Sequence, residues 1–212
     1  MTFITAIQLK DSAIVVADNK FISIDKDNPS EYKEYLDSKL YSWKKGILTG
    51  VGEHYLLDRA IQLFVHSADS DTNKLPTCLH ISRQIRELEI EHHHQLNISQ
   101  LLYSQESQLY KVSPTTPTGK YETTALKDKE IILWLFNPDV SQIMDELQTL
   151  YATLKPQNSF PTEKEWTNHY IDQFKTIYKK HSKIDPCVSA SFNIYFQTPN
   201  HAQDYYISNI SS

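Results

Sequence analysis

The sequence predicts an α+β protein, a four-layer αββα sandwich with two antiparallel sheets between helical layers. Three observations carry that expectation. Short strand-like runs come in groups near the start, in the middle and at the end of the chain. Two pairs of amphipathic helical stretches separate these groups. The resulting order of strand pairs, two helices, strands, two helices and a final hairpin lets helical faces cover sheet faces. At 212 residues the chain is read as one domain, residues 1–212, long enough to bury roughly 70% of its extended surface.

Phe3 to Leu9 and Ala13 to Ala17 read as two strands joined at Lys10, Asp11 and Ser12. Lys20 to Asp25 continues extended, and Asp25-Lys26-Asp27-Asn28-Pro29-Ser30 is a turn-rich loop. Residues 31–37 fit either a helical turn or an insertion. Strands around Lys39 to Trp43 and Ile47 to Val51 form a second hairpin through Lys44, Lys45 and Gly46. From Glu53 to Ser67, Leu56, Ala60 and Phe64 with Leu57, Ile61 and Val65 make a helical stripe. Ser67 to Pro76 reads as polar loop, and Thr77 to Asn97 as a second helix with Cys78, Ile81, Ile85 and Leu88 inward.

Strands follow at Leu101 to Tyr103, Leu109 to Val112, Tyr121 to Leu126 and Ile131 to Phe136, interrupted by the Pro- and Gly-bearing loop from Ser113 to Gly119. Asn137-Pro138 reads as an N-cap with proline at the first helical position, opening a helix with Val140, Ile143, Leu147, Leu150 and Leu154 inward and limited by Pro156. Thr162-Glu163-Lys164-Glu165 fits a capping box, followed by a stripe of Trp166, Tyr170, Phe174 and Ile177 and a helix end near His181 or Ser182. Val188 to Thr198 and Gln203 to Ile210 close the chain as a hairpin. Leu56, Ile61, Ile143, Leu147 and Trp166 are expected in the core.

Composition narrows the function. The net charge is −5 and no Lys/Arg cluster marks a nucleic-acid footprint, which disfavours nucleic-acid binding. Cys78 and Cys187 lie far apart without a CxxC pattern, so a reducing cytoplasm suits the chain better than a disulfide framework. No apolar run approaches the ~20 residues of a membrane helix, and the start lacks the basic flank of a signal peptide. Consecutive residues on a helix point about 100° apart, so His92, His93 and His94 do not converge on one metal. No cofactor or metal is expected.

The chemistry concentrates at the start. With Met1 removed, Thr2 carries a nucleophilic hydroxyl and a free α-amine on one residue, so the nucleophile brings its own base. The amine suits the task, with an unperturbed pKa of roughly 7.7–8.0.

Two further segments give that terminus a family likeness. Asp18, within Ala17-Asp18-Asn19-Lys20, follows Thr2 at the spacing of nucleophile and aspartate in proteasome β subunits and their bacterial relatives. Ser38-Lys39-Leu40-Tyr41-Ser42-Trp43 and Gly46-Ile47-Leu48-Thr49-Gly50-Val51-Gly52 are similar to the lysine strand and the glycine-ended strand of the same family. The chain thus resembles proteasome-like N-terminal nucleophile (Ntn) hydrolases, most fully over residues 2–65.

The resemblance implies Thr2 as nucleophile, Lys39 as the cation that eases its deprotonation, Asp18 as that lysine's partner and the Gly52 N–H as oxyanion donor. Asp185 and Ser189 resemble the aspartate and serine that support the amine, with the spacing shifted by one so that Val188 also fits the serine position. Leu135-Phe136-Asn137-Pro138 replaces the family's Gly-Ser-Gly, and Glu53, His54 and Tyr55 replace small residues beside the pocket. The implied activity is a threonine-type peptidase or amide hydrolase acting on peptide or amide substrates, in a homo-oligomer of ring type, with an ATPase partner left open. The alternative is a proteasome-like structural or binding subunit without activity.

Overall fold

The computed structural model describes residues 2–24, 32–90, 94–115, 120–135 and 139–209. Their contacts fall into two compact units, Met1–Leu40 with Lys127–Ser212, and Tyr41–Leu126.

In the first unit, β1 (Phe3–Gln8), β2 (Ala13–Asp18), β10 (Ile131–Leu135), β11 (Phe192–Gln197) and β12 (Ala202–Ile207) form an antiparallel sheet ordered β10-β1-β2-β11-β12. The predicted first hairpin is present, with Ile4 opposite Ala17 and Gln8 opposite Ala13. Every residue of β1 and β2 is buried, so both faces of these central strands are covered. This accounts for their continuous apolar character, since a strand covered on both faces has no reason to alternate.

Helices α4 (Met144–Ala152) and α5 (Glu163–His181) supply the helical side of this core. Thr162 caps α5, its Oγ1 accepting from Glu165 N at 3.2 Å. Trp166, Tyr170, Phe174 and Ile177 are fully buried against Phe3, Ile7, Ile14, Val16, Phe192 and Phe196. Burial of one such aromatic is typically worth 3–5 kcal/mol against alanine.

The helix expected to open at Asn137-Pro138 starts later. Those two residues lie outside the described ones, and the following Asp139 and Val140 are not helical. Asp139 Oδ1 instead accepts from Ser141 N at 3.0 Å, an Asx turn that leads into a 3₁₀ turn at Ser141–Ile143. Ile143, Leu150 and Leu154 are buried as expected, whereas Leu147 is only partly so.

Residues 32–36, which fit no clear element in sequence, form β4 (Tyr32–Leu36), an antiparallel partner of β3 (Lys20–Ile24). The expected loop of residues 25–30 lies outside the described residues.

In the second unit, β5 (Tyr41–Trp43), β6 (Gly46–Val51), β7 (Gln100–Gln105), β8 (Gln108–Pro114) and β9 (Tyr121–Ala125) follow one another in an antiparallel meander. Helices α1 (His54–Gln62), α2 (Leu75–Ile90) and the short α3 (His94–Ile98) accompany it. Leu56, Ala60, Phe64, Leu75 and Leu79 pack on Leu48, Leu101, Tyr103 and Val112.

Two readings of this region need correction. The supposed polar loop ends early, because Asp71 caps a 3₁₀ turn at Thr72–Lys74 that runs directly into α2. The inward face of α2 is Leu75, Cys78, Leu79, Ser82 and Arg83, while Ile81 and Ile85 are exposed and Leu88 is 88% exposed. Ser82 Oγ donates to the Leu56 carbonyl at 2.7 Å, and Arg83 binds Glu87 and Asn97. Hydrogen-bonded polar groups thus turn inward where apolar spacing alone selects the neighbouring stripe. Among the described residues no helix is long and apolar enough to cross a membrane.

Candidate active site

Asp18 ends β2, between β1 and β11, and is fully buried. A carboxylate in such a place persists only if its lone pairs are filled. Three donors fill them: Oδ1 accepts from Lys39 Nζ at 2.7 Å and from Phe3 N at 2.8 Å, and Oδ2 accepts from Lys20 N at 3.1 Å.

Lys39 is buried in turn and precedes β5, whose strand begins only at Tyr41, later than the sequence suggests. Two local devices deliver it. Asp37 N donates to the Asn19 carbonyl at 2.9 Å, and Ser38 Oγ accepts from Leu40 N at 3.1 Å. Its Nζ also lies 5.1 Å from the centre of the Phe21 ring. Burial holds the Lys39 ammonium below its ordinary pKa, opposed by the Asp18 charge and hydrogen bond and by the Asp185 charge.

Thr2 is half-buried, directly before β1. Its neighbour Phe3 is fixed from several sides. The Phe3 N–H is held by Asp18, and its carbonyl accepts from Tyr178 Oη at 3.1 Å. Its ring stacks on Tyr178 at 4.4 Å and meets the edge of His181 at 4.8 Å. Burial raises the Tyr178 phenol well above its ordinary value, so it remains a donor. The backbone that directly follows Thr2 is therefore preorganised, which positioning chemistry requires.

Asp185 and Ser189 occupy the turn between α5 and β11. Asp185 is buried; its Oδ1 accepts from Cys187 N at 2.9 Å, and its Oδ2 has no hydrogen-bond partner among the described residues. Ser189 Oγ accepts from Asn19 N at 3.1 Å and lies 2.6 Å from both Asn19 Oδ1 and the Ser191 carbonyl. Ser191 Oγ also donates to Asn19 Oδ1, at 2.9 Å. The Ser189 hydroxyl is thereby engaged with Asn19 and Ser191. Val188, the other residue that fits the serine position, is buried in the apolar core.

Gly52 belongs to the second unit, at the junction of β6 and α1, with φ +119°. A Cβ there would meet Ser99, whose Cβ would be 2.7 Å away. Only glycine suits both the backbone and the space. Ser99 Oγ accepts from Glu53 N at 2.9 Å. Glu53 caps α1 through Leu56 N at 2.7 Å and pairs with Arg86 at 3.0 Å, and the Arg86 guanidinium lies 4.8 Å from the Tyr55 ring centre. Glu53 is committed to the helix and Arg86, while Tyr55 is exposed.

The structure thus groups Asp18 and Lys39 beside the Thr2–Phe3 segment and reveals partners the sequence reading missed: Asn19, Tyr178, His181 and Ser191. Asn19 sits inside the segment that carries the family likeness, but its serine partners lie 170 and 172 positions away. No local pattern announces that pairing. Among the described residues no group of three or more His, Cys, Asp or Glu is arranged to hold a metal; His92 and His93 lie outside those residues.

Two five-stranded antiparallel sheets with helices define the α+β class, and the fold matches the proteasome-like Ntn fold of Anbu and HslV. Similar solved structures include an Anbu mutant from Hyphomicrobium sp. strain MC1, with TM-score 0.64 and 10% identity over 98% of this chain and 88% of that one. Anbu from Yersinia bercovieri, described as an ancestral β-subunit, matches with TM-score 0.64 and 10% identity over 97% and 86% of the two chains. Eukaryotic HslV from Trypanosoma brucei matches with TM-score 0.51 and 9% identity over 92% and 99%. No family model and no curated protein matches the sequence.

Proposed function

We propose that the chain is a threonine-nucleophile peptidase or amide hydrolase of proteasome-like type, with residues 1–212 acting as one domain. The supporting observation is that one buried Asp18 oxygen holds both the Lys39 ammonium and the N–H of Phe3, the residue after Thr2. With Met1 removed, Thr2 Oγ attacks the substrate carbonyl as its proton passes to the Thr2 amine, directly or through water. Lys39 lowers the cost of the developing alkoxide, and the family resemblance assigns the oxyanion to the Gly52 N–H. Collapse expels the substrate amine with that proton, leaving an ester on Thr2 that water hydrolyses. In this reading Asp185 and Ser189 line the amine side of the site.

The same proposal places the protein in the cytoplasm as a homo-oligomer of ring or helical type, with peptide or amide substrates and no nucleic acid. A structure of an Anbu complex from Pseudomonas aeruginosa is described as a helical assembly, which supports self-association. A second reading, an inactive proteasome-like subunit, is favoured by the engagement of Ser189 with Asn19 and Ser191.

Intact mass and adduct mass separate the two readings. Processed protein should lack Met1, cleave members of a peptide library and form a covalent adduct with a threonine-directed electrophile. Thr2→Ala should lose both activities while Thr2→Ser keeps some turnover. Folded, processed protein with neither turnover nor adduct would support the inactive subunit.

A further inference from the structure

The C-terminal turns of α5 build a surface cavity of about 400 Å³ lined by Lys175, Thr176, Lys179, Lys180, Lys183 and Asn209. In a chain of net charge −5, four lysines around one cavity form a local reversal of sign. Lys175, Lys179 and Lys183 follow one another at intervals of four, so they share a side as the chain leaves the helix. Asn209 is tied to the wall by its Nδ2, which donates to the Lys175 carbonyl at 2.7 Å.

Among the described residues the charges do not cancel locally. Lys175 has Asp172 at 3.5 Å, and Lys180 pairs with Glu146. Lys179 and Lys183 have no acidic partner among the described residues. The helix C-terminus attracts cations, which explains some of this lysine content, but the macrodipole is equivalent to only about half a charge. Two unmatched ammonium groups exceed it.

We propose that this cavity binds a ligand carrying two negative charges on oxygen, either a phosphate dianion or neighbouring carboxylates of an acidic peptide. Lys179 and Lys183 supply the matching charge, and Thr176 and Asn209 supply polar contacts. Because the lysines are exposed, the attraction is screened by salt, with a Debye length of about 10 Å at 0.1 M.

The proposal is independent of any chemistry at Thr2, and the full chain tests it. Amide NMR signals, including the Asn209 side chain, are followed during titration with inorganic phosphate and separately with a blocked Glu-Glu peptide, with chloride at matched ionic strength as control. Saturable shifts around residues 175–183 and Asn209 are expected with at least one probe, and the tighter probe identifies the source of the charge. The Lys179→Ala/Lys183→Ala protein should bind about tenfold more weakly, since losing each pair costs up to ~1 kcal/mol, while Lys10→Ala should not differ from the parent. Unsaturable shifts with both probes, shifts matched by chloride, or unaltered binding in the folded double variant would overturn the proposal.

Discussion

Phe3 N and Lys39 Nζ donate to the same oxygen of Asp18, at 2.8 and 2.7 Å. The carboxylate thereby joins the strand that follows Thr2 to a cation supplied 21 positions beyond Asp18 itself. Both charged side chains are removed from water, so the pair's contribution to stability depends on keeping both members.

Asp18→Asn should therefore destabilise the protein by about 3–5 kcal/mol, because Lys39 stays buried without its counter-charge. Replacing both, as Asp18→Asn/Lys39→Met, should recover a large part of that loss. Urea midpoints for the parent, both single variants and the double variant form the cycle that measures the coupling. Additive single losses would show that the two side chains do not act as a pair.

The Asn19 corner makes a graded prediction. Ser189 Oγ has one proton for two acceptors, Asn19 Oδ1 and the Ser191 carbonyl. Ser191→Ala leaves Ser189 able to serve Asn19 and should cost about 0.5–1.5 kcal/mol. Ser189→Ala removes the acceptor of the Asn19 N–H at a buried residue, and about 1–3 kcal/mol is expected. Chemical denaturation gives the order, and a larger loss for Ser191→Ala would contradict this assignment of the hydroxyls.

His181 predicts a pH effect. The ring is fully buried and neither nitrogen has a hydrogen-bond partner among the described residues. Burial depresses its pKa, and the opposing carboxylates of Asp185, Asp18 and Asp139 do not reverse the direction. The unfolded chain therefore takes up this proton first as pH falls below ~6.5. The stability linked to His181 is complete above that value and is lost as pH falls towards the folded pKa. His181→Phe should flatten the decline of melting temperature between about pH 6.5 and 5 relative to the parent. Parallel curves would exclude His181 as the titrating group.

How much of this was legible in the sequence differs by element. The first hairpin, the Thr162 cap and the Trp166, Tyr170, Phe174 and Ile177 stripe were readable because local periodicity and local chemistry agree there. Lys39 and Asp18 were legible as a pair only through the family likeness, since two charged residues 21 apart carry no pairing signal of their own. The α2 face was misread because Ile81, Ile85 and Leu88 mimic a core stripe while Ser82 and Arg83 are buried through specific hydrogen bonds. The β3–β4 pairing was hidden for another reason: β4, Tyr-Lys-Glu-Tyr-Leu, does not alternate apolar with polar residues, and the turn-rich Asp-Lys-Asp-Asn-Pro-Ser lies between the two strands.

Gly52 provides the last prediction, and it separates a structural from a catalytic role. At φ +119° any side chain is strained, and a Cβ would strike Ser99 at its backbone as well as its hydroxyl. Gly52→Ala should therefore destabilise the protein by at least about 1–3 kcal/mol. Ser99→Ala removes only the hydroxyl, so adding it to Gly52→Ala should not restore stability. Catalysis makes a different demand: displacing an oxyanion N–H typically costs ~10² to 10³ in rate. Adduct formation at Thr2, measured at a temperature where Gly52→Ala remains folded, should fall by about that factor if the Gly52 N–H faces the reacting carbonyl. A folded Gly52→Ala protein that labels at the parent rate would leave Gly52 with the turn alone.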